Sequence, residues 1–138
     1  MPTPADLEEK LWKALQSDRA VMLRLDGAAE PMTAQFDKGR DHGPLYIFTS
    51  KKSDIVRSLG RPRRAEIVFV GKSHDIFATV EGDLTVDSDP ALIDRLWNPF
   101  VAAWFEGGQN DPDLQLLEFR PAEAQIWETT TACSRACV

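Results

Sequence analysis

Residues 51–64 carry the most concentrated positive charge of the chain. Six lysines and arginines stand there against the single carboxylate of Asp54, so the segment carries +5 in a 138-residue chain whose net charge is −6. It directly follows a predicted strand at 45–49, and Ser53 is a favoured helix N-cap. Helix-end amides, hydroxyls and ammonium groups together bind anions such as phosphate. The side chains available for such a site are those of Thr49, Ser50, Lys51, Lys52 and Ser53. A solvated basic face is the alternative.

A second group of chemical interest is aromatic. Trp97, Phe100, Trp104 and Phe105 follow one another at helical spacing around the helix-breaking Pro99. Such a cluster is compatible with a core, a partner surface or a stacking platform for a ligand. Trp104 is the candidate for an interface or ligand contact.

The remaining reactive side chains do not form a catalytic set. His42 lies in a loop and His74 in a predicted turn, with no nucleophile or base placed beside either. The carboxylates of Asp111, Asp113 and Glu118 lack metal-ligand spacing. We therefore expect surface histidines, no catalytic residue and no metal.

The two cysteines, Cys133 and Cys137, lie four residues apart within the last six positions. A disulfide or half a metal site is conceivable at that spacing. Free thiols in a terminal segment are the expectation for a reducing compartment.

Composition bounds the class of protein. With 43% hydrophobic and 28% charged residues, the chain is typical of a soluble globular protein. We expect one domain over residues 1–138, with a core at about 5–128 and a flexible C-terminal tail at 129–138. The acidic balance argues against nucleic acid or an anionic membrane as partner. Without a membrane-length apolar run or a signal-peptide pattern, we expect a cytoplasmic location.

Helical signals occur at three places. Thr3 and Asp6 form a capping box, and a leucine follows every fourth residue from Leu7 to Leu15, which predicts an amphipathic helix. Ser53 caps a short helix that ends at Gly60. A longer helix is predicted from residues 89–90, broken at Pro99 and resuming as far as 107.

Alternating or continuous apolar runs predict strands elsewhere, with Gly82 marking a bend or bulge. Their ranges are 20–25, 32–36, 45–49, 67–70, 76–86, 114–119 and 124–127. Six or seven short strands with three helical insertions favour a small closed or nearly closed barrel. The pattern of a dinucleotide-binding fold and the phosphate-loop motifs are absent from the sequence.

Three stretches together resemble a known family: EPMTAQF, GPLYIFTSKKSDIV and GDLTVDSDPALIDRLWNPFVAAWFEGGQNDPDLQLLEFRPAEAQIWE. They are similar to the general-stress-protein branch of the pyridoxine-phosphate-oxidase-like FMN-binding split barrels, over residues 7–128. The resemblance implies a mainly β fold: a split β-barrel of six to seven mostly antiparallel strands with short flanking helices. It also implies a homodimer with two FMN sites between the subunits.

The resemblance further implies which residues bind the cofactor. The strand through residues 30–35 would run along the flavin ring, the next strand would add contacts, and the Ser/Lys turn would grip the phosphate. Trp104 would be the aromatic residue contributed by the partner subunit. The implied set is Met32, Thr33, Ala34, Gln35, Phe48, Thr49, Ser50, Lys51, Lys52, Ser53 and Trp104.

Two positions depart from the family pattern, and both lose positive charge. Glu30 stands where the family frequently has arginine, and Ile55 aligns with a common lysine. The expected function is therefore a flavin-binding protein or FMN-dependent oxidoreductase. The alternative is a non-catalytic dimeric module that has lost FMN or binds another small anionic ligand. A pyridoxine phosphate oxidase is a further possibility, although no residues for a second phosphate substrate can be identified.

Overall fold

One antiparallel sheet organises the structure. The computed structural model describes residues 3–37, 43–129 and 134–137. Within these, eight strands form the order β2-β1-β5-β6-β7-β4-β3, with β8 beside β7. They are β1 (Ala20–Leu25), β2 (Ala28–Thr33), β3 (Gln35–Phe36), β4 (Leu45–Ser50), β5 (Arg63–Val70), β6 (Ile76–Asp87), β7 (Leu114–Glu128) and β8 (Ser134–Cys137). The predicted mainly β, split-barrel architecture with short flanking helices is confirmed.

A single segment of chain links the two edges of this sheet. β2 pairs with β1, whereas β3 pairs with β4 at the opposite edge. Between them, the Ala34 amide donates to the carbonyl of Arg19 at 2.8 Å. β2 and β4 approach each other without pairing. The prediction of one continuous strand at 32–36 is therefore wrong, because the chain changes partners at Ala34.

Helix α1 (Pro4–Asp18) closes one side of the barrel. Its predicted capping box is confirmed: the Asp6 amide donates to the Thr3 hydroxyl at 3.1 Å, and the Thr3 amide donates to the Asp6 carboxylate at 3.0 Å. Leu7, Leu11 and Leu15 are buried in the main core with the inward residues of the strands. The helix therefore contributes one face to the core of the barrel.

β7 runs without a break through Pro121, so the prediction of two separate strands there is wrong. The register between β6 and β7 shifts at Glu81/Gly82, which absorbs the irregularity and confirms the predicted bulge. A Cβ atom on Gly82 would lie 2.2 Å from the carbonyl oxygen of Arg120. Glycine is required at this position because the two backbones approach closely.

A second layer covers the outer face of β4 and β7. It comprises α3 (Pro90–Leu96) and α4 (Pro99–Ala102), while α2 (Asp54–Arg57) follows β4. Asn98 caps α4 by accepting hydrogen bonds from the amides of Phe100 and Val101 at 3.0 and 3.1 Å. The predicted continuation to residue 107 is wrong, since α4 ends at Ala102 and is followed by turns.

Several sequence predictions concern the chain beyond this framework. The described residues do not include His42. In the predicted flexible tail they do not include residues 130–133, among them Cys133, or residue 138. Within the same tail, β8 pairs with β7. His74 is exposed in the turn between β5 and β6, as predicted. No helix of the described ranges is long and apolar enough to cross a membrane.

Candidate functional site

The predicted binding residues converge where β2 and β3 pass beside β4. Gln35 pairs with Tyr46 and Phe36 with Leu45 in the β3–β4 register. On the other side of Ala34, β2 pairs with β1 and remains in contact with β4. The topology thus brings the predicted ring strand beside the strand that leads into the predicted phosphate turn.

The turn at residues 50–53 is held by hydrogen bonds that use its own amides. The Lys51 amide donates to the carbonyl of Asp113 at 2.8 Å, the Lys52 amide to the Ser50 hydroxyl at 3.0 Å and the Ser53 amide to the Ser50 carbonyl at 3.1 Å. The Ser50 hydroxyl donates to the Asp113 carboxylate at 2.7 Å. These three amides are therefore not available to an anion, contrary to the simplest interpretation of the sequence.

What the turn offers a ligand is side-chain chemistry. The Ser53 hydroxyl accepts from the Val56 amide at 3.1 Å and keeps its own proton for donation. Lys51 and Lys52 are exposed, and no ion pair ties either ammonium group to a carboxylate among the described residues. Thr49 is half-buried at the end of β4, on the same face as the buried Ile47. An anion at this turn would meet two cations and two hydroxyl groups.

The far end of the basic segment serves a different purpose. Arg63 pairs with Asp26, and the Nη1 of Arg64 lies 3.6 Å from a carboxylate oxygen of Asp83. Both arginines belong to β5 and are engaged with carboxylates of neighbouring segments. The charge concentration at 51–64 therefore includes two arginines of β5 that pair with carboxylates and a turn whose two lysines form no ion pair with any described residue.

Acidic groups lie behind the turn. The Asp111 carboxylate accepts hydrogen bonds from the amides of Asp113 at 2.9 Å and Gly107 at 3.0 Å. These hydrogen bonds, with a smaller contribution from the positive charge of Lys52, lower the pKa of Asp111 below its usual value. Asp111 and Asp113 therefore shape the loop that supports residues 50–53.

The four predicted residues on the ring strand have unequal access. Thr33 is exposed, Met32 is half-buried against the main core and Ala34 is fully buried. Gln35 is buried, and its side-chain oxygen Oε1 accepts a hydrogen bond from the side-chain amide of Asn98 at 3.1 Å. Gln35 therefore links β3 to the cap of α4, while Met32 and Thr33 remain the side chains nearest to solvent.

Glu30 has a property that sequence reasoning missed. Its Oε2 atom is buried and has no hydrogen-bond partner among the described residues. Glu30 pairs across the sheet with Leu23, which is fully buried, so both side chains lie on the inward face. By contrast, Ile55, the other departure from the family pattern, is fully buried in the main core and faces no solvent.

The aromatic group divides into buried and exposed members. Phe48 and Trp97 pack edge to face with ring centroids 5.9 Å apart, beneath α3 and α4. Val101 and Phe105 are also buried there. Phe100 and Trp104 are also four residues apart, but each is 84% exposed. We call Phe100 and Trp104 the aromatic pair. Large apolar side chains with this degree of exposure indicate a surface that contacts a partner or a ligand.

Comparisons with known proteins consistently find similarity to one family and its general stress proteins. Residues 6–138 match the family described as pyridoxamine 5'-phosphate oxidase like. The chain is 50% identical to the general stress FMN/FAD binding protein of Xanthomonas citri, with a TM-score of 0.85 over 93% of this chain and 92% of that one. A general stress family protein of Xanthomonas campestris pv. campestris is also 50% identical, with a TM-score of 0.85 over 96% and 93%. General stress protein 26 of Bacillus subtilis is 21% identical over 124 residues, 88% of each chain.

Proposed function

This chain belongs to the pyridoxamine 5'-phosphate oxidase-like family, and we propose that it is a general-stress-type flavin-binding protein whose cofactor is FMN. The observation that carries the proposal is its 50% identity, over nearly the whole chain, to a protein described as binding FMN or FAD. The geometry of the described residues supports it, because unpaired cations and hydroxyl groups lie beside the strand that would hold the ring.

The residues present fit such a cofactor. Lys51, Lys52 and the hydroxyl of Ser53 would hold the phosphate, with Thr49 beside them. Met32 and Thr33 would border the ring from β2.

A bound flavin supplies redox chemistry of its own, and the chain would bind and orient it. We propose an FMN-dependent oxidoreductase on this basis. The second candidate is a binding module without turnover, and Glu30 and Ile55 favour it, since neither carries the positive charge that the family frequently has at these positions. Reduction of the bound flavin by NADH or NADPH, followed by reoxidation with an electron acceptor, would establish the oxidoreductase. Binding without reduction would favour the module.

We also propose that the protein acts as a homodimer in which a second copy covers the aromatic pair, and that it works in the cytoplasm. The high exposure of Phe100 and Trp104 supports the dimer. Phe100 belongs to α4 and Trp104 to the turn that follows it, and Val101 of α4 packs with Phe48, whose strand leads directly into the phosphate turn. A dimer formed through this surface would therefore bring the partner's aromatic rings close to the candidate site.

The proposed flavin site is tested by titrating purified protein with FMN while its fluorescence is recorded. We expect saturable quenching, and we expect Lys51→Ala with Lys52→Ala to weaken FMN binding by about tenfold, the loss of about 1.4 kcal/mol. Lys72→Ala is the matched control, because Lys72 is an exposed lysine in the turn between β5 and β6, at the opposite end of β7.

Two results would contradict the proposal. The first is an absence of saturable quenching by the unaltered protein. The second is an equal effect of the control and the double variant, which would show that net charge and not the turn governs affinity. Raising the salt concentration should weaken binding to the unaltered protein, since exposed charges are screened.

A further inference from the structure

Arg57 is a cation of the basic segment 51–64 that the fold itself does not use. It is the last residue of α2 and is exposed. Its guanidinium forms no ion pair or hydrogen bond with any described residue. Arg63 and Arg64 of the same segment, by contrast, pair with carboxylates of neighbouring segments. The guanidinium of Arg57 is therefore available to a ligand.

Local geometry places Arg57 beside the turn at residues 50–53. The Arg57 amide donates to the Ser53 carbonyl at 3.1 Å, so the two residues are one helical turn apart. Residues at this spacing lie on the same face of a helix, with Cβ atoms about 5 to 6 Å apart. Long side chains in a helix point back towards its N-terminal end. The side chain of Arg57 therefore extends towards Ser53 and can reach an anion held at the turn.

The burial of α2 agrees with this direction. Ile55 lies midway between Ser53 and Arg57 and is fully buried in the main core. A separation of two residues turns a helix by about 200°. Ser53 and Arg57 therefore lie on the side of α2 that faces away from Ile55, which is the side open to a ligand in solution.

A guanidinium adds a kind of contact that the lysines of the turn lack. Its planar fork donates two parallel hydrogen bonds to two oxygens of one phosphate, whereas an ammonium group acts as a point charge. Asp54, three residues before Arg57, is a carboxylate at helical spacing that could compete for the fork. No ion pair between Asp54 and Arg57 occurs in the described structure. A terminal phosphate offers the paired oxygens that the fork requires.

We propose that Arg57 is a specificity-determining binding residue, which donates to the terminal phosphate of the flavin together with Lys51, Lys52 and the Ser53 hydroxyl. The inference rests on the proposed flavin function and deepens it, because it names a further residue that recognises one group of the ligand. Arg57 thereby favours FMN over riboflavin, which has the same ring system and no phosphate. Arg57 acts on ligand choice, not on turnover.

The test titrates FMN and riboflavin into four proteins while the quenching of flavin fluorescence is recorded. The proteins are the unaltered chain, Arg57→Ala, Arg57→Lys and Arg61→Ala. Arg61→Ala is the matched control, because it removes the same charge from an exposed arginine of the same basic segment, beyond the end of α2. Circular dichroism of each variant establishes that it is folded.

Arg57→Ala should weaken FMN binding about fivefold, which corresponds to about 1 kcal/mol, the upper end for an exposed ion pair. Its affinity for riboflavin should not change, because riboflavin has no phosphate for the guanidinium to contact. Arg57→Lys keeps the charge and loses the fork, so its FMN affinity should fall between those of the unaltered protein and Arg57→Ala. Arg61→Ala should weaken FMN binding by less than about twofold, since a distant exposed charge is screened.

The outcomes separate this inference from the function on which it rests. If the proteins bind FMN and the affinity is the same in Arg57→Ala as in the unaltered chain, the inference is wrong while the flavin site stands. Equal losses in Arg57→Ala and Arg61→Ala, or an equal loss of FMN and riboflavin binding in Arg57→Ala, would also overturn it, because neither result requires a contact with the phosphate. If the unaltered protein binds neither flavin, the proposed function fails and the inference falls with it.

Discussion

Replacing Glu30 by methionine should stabilise the ligand-free protein. The substitution removes the buried Oε2 atom, which has no hydrogen-bond partner among the described residues, and puts an apolar side chain of similar length on the inward face of β2. An unsatisfied buried polar group costs about 1 to 3 kcal/mol. Because Glu30 as a whole is only half-buried, we take the lower part of that range, about 1 to 2 kcal/mol.

This free energy converts into a measurable melting temperature. With about 2.1 cal/mol/K of unfolding entropy per residue, the Tm of a chain of this length changes by about 3 to 4 °C for each kcal/mol of unfolding free energy. Glu30→Met should therefore raise the Tm by about 3 to 8 °C in thermal unfolding followed by circular dichroism.

The control is Glu106→Met, the same change at an exposed residue in the loop after α4. Its Tm should remain close to that of the unaltered protein. An unchanged or lowered Tm for Glu30→Met would refute the reasoning, because the carboxylate would then be satisfied in solution. An equal rise in the control would attribute the effect to net charge.

Three further predictions concern the framework and the proposed dimer. Gly82→Ala should destabilise the fold by about 1 to 3 kcal/mol in urea denaturation, because its Cβ would lie 2.2 Å from the Arg120 carbonyl oxygen; an unchanged midpoint would contradict the bulge. Asp111 has a lowered pKa in the folded state, so its contribution to stability is present above its unfolded pKa and is lost as the pH falls through the folded value. In Asp111→Asn, the free energy of unfolding should therefore fall less steeply as the pH is lowered. An unchanged dependence on pH would show that other carboxylates determine the loss of stability in acid. Phe100→Ser with Trp104→Ser should shift the protein towards monomer in analytical ultracentrifugation, whereas an unchanged distribution would place the dimer interface elsewhere.

Local chemistry made much of the framework predictable from sequence. The capping box of Thr3 and Asp6 and the leucines that follow specify α1 through contacts only a few residues apart. Gly82 indicated a bulge because glycine inside a strand usually marks an irregularity or a close approach. The strand ranges followed from alternating apolar residues, and the resemblance to a family supplied the split barrel.

The errors arose where distant segments decide the outcome. Alternation continues through residues 32–36, so nothing local shows that the chain changes pairing partner at Ala34. Pro121 suggested a break in β7, but the strand continues through it, with one extra residue on β7, Ala122, at the register shift opposite Glu81 and Gly82. Asn98 caps α4 by accepting hydrogen bonds from the Phe100 and Val101 amides, and α4 ends at Ala102, where the Trp104 amide donates to the Val101 carbonyl in a turn.

For the candidate site too, local sequence predicted some features, whereas contacts with distant segments decided others. The serines and lysines at residues 50–53 indicated an anion-binding turn. Whether the backbone amides of this turn are free for a ligand depends on Asp113, which lies 63 residues after Ser50 in the chain. Gln35 is likewise engaged by Asn98, 63 residues away. The sequence showed that Glu30 departs from the family pattern, whereas only the packing of β2 shows that its Oε2 atom is buried with no hydrogen-bond donor in the part of the chain that the structure describes.

A crystal structure of the protein grown with FMN would test the central claim most directly. We predict electron density for the flavin between β2 and β4, with its phosphate at the side chains of Lys51, Lys52 and Ser53 and its ring beside Met32 and Thr33. A flavin bound elsewhere on the chain would contradict this account of the site. Crystals that contain no flavin, grown at FMN concentrations that saturate quenching in solution, would contradict it equally.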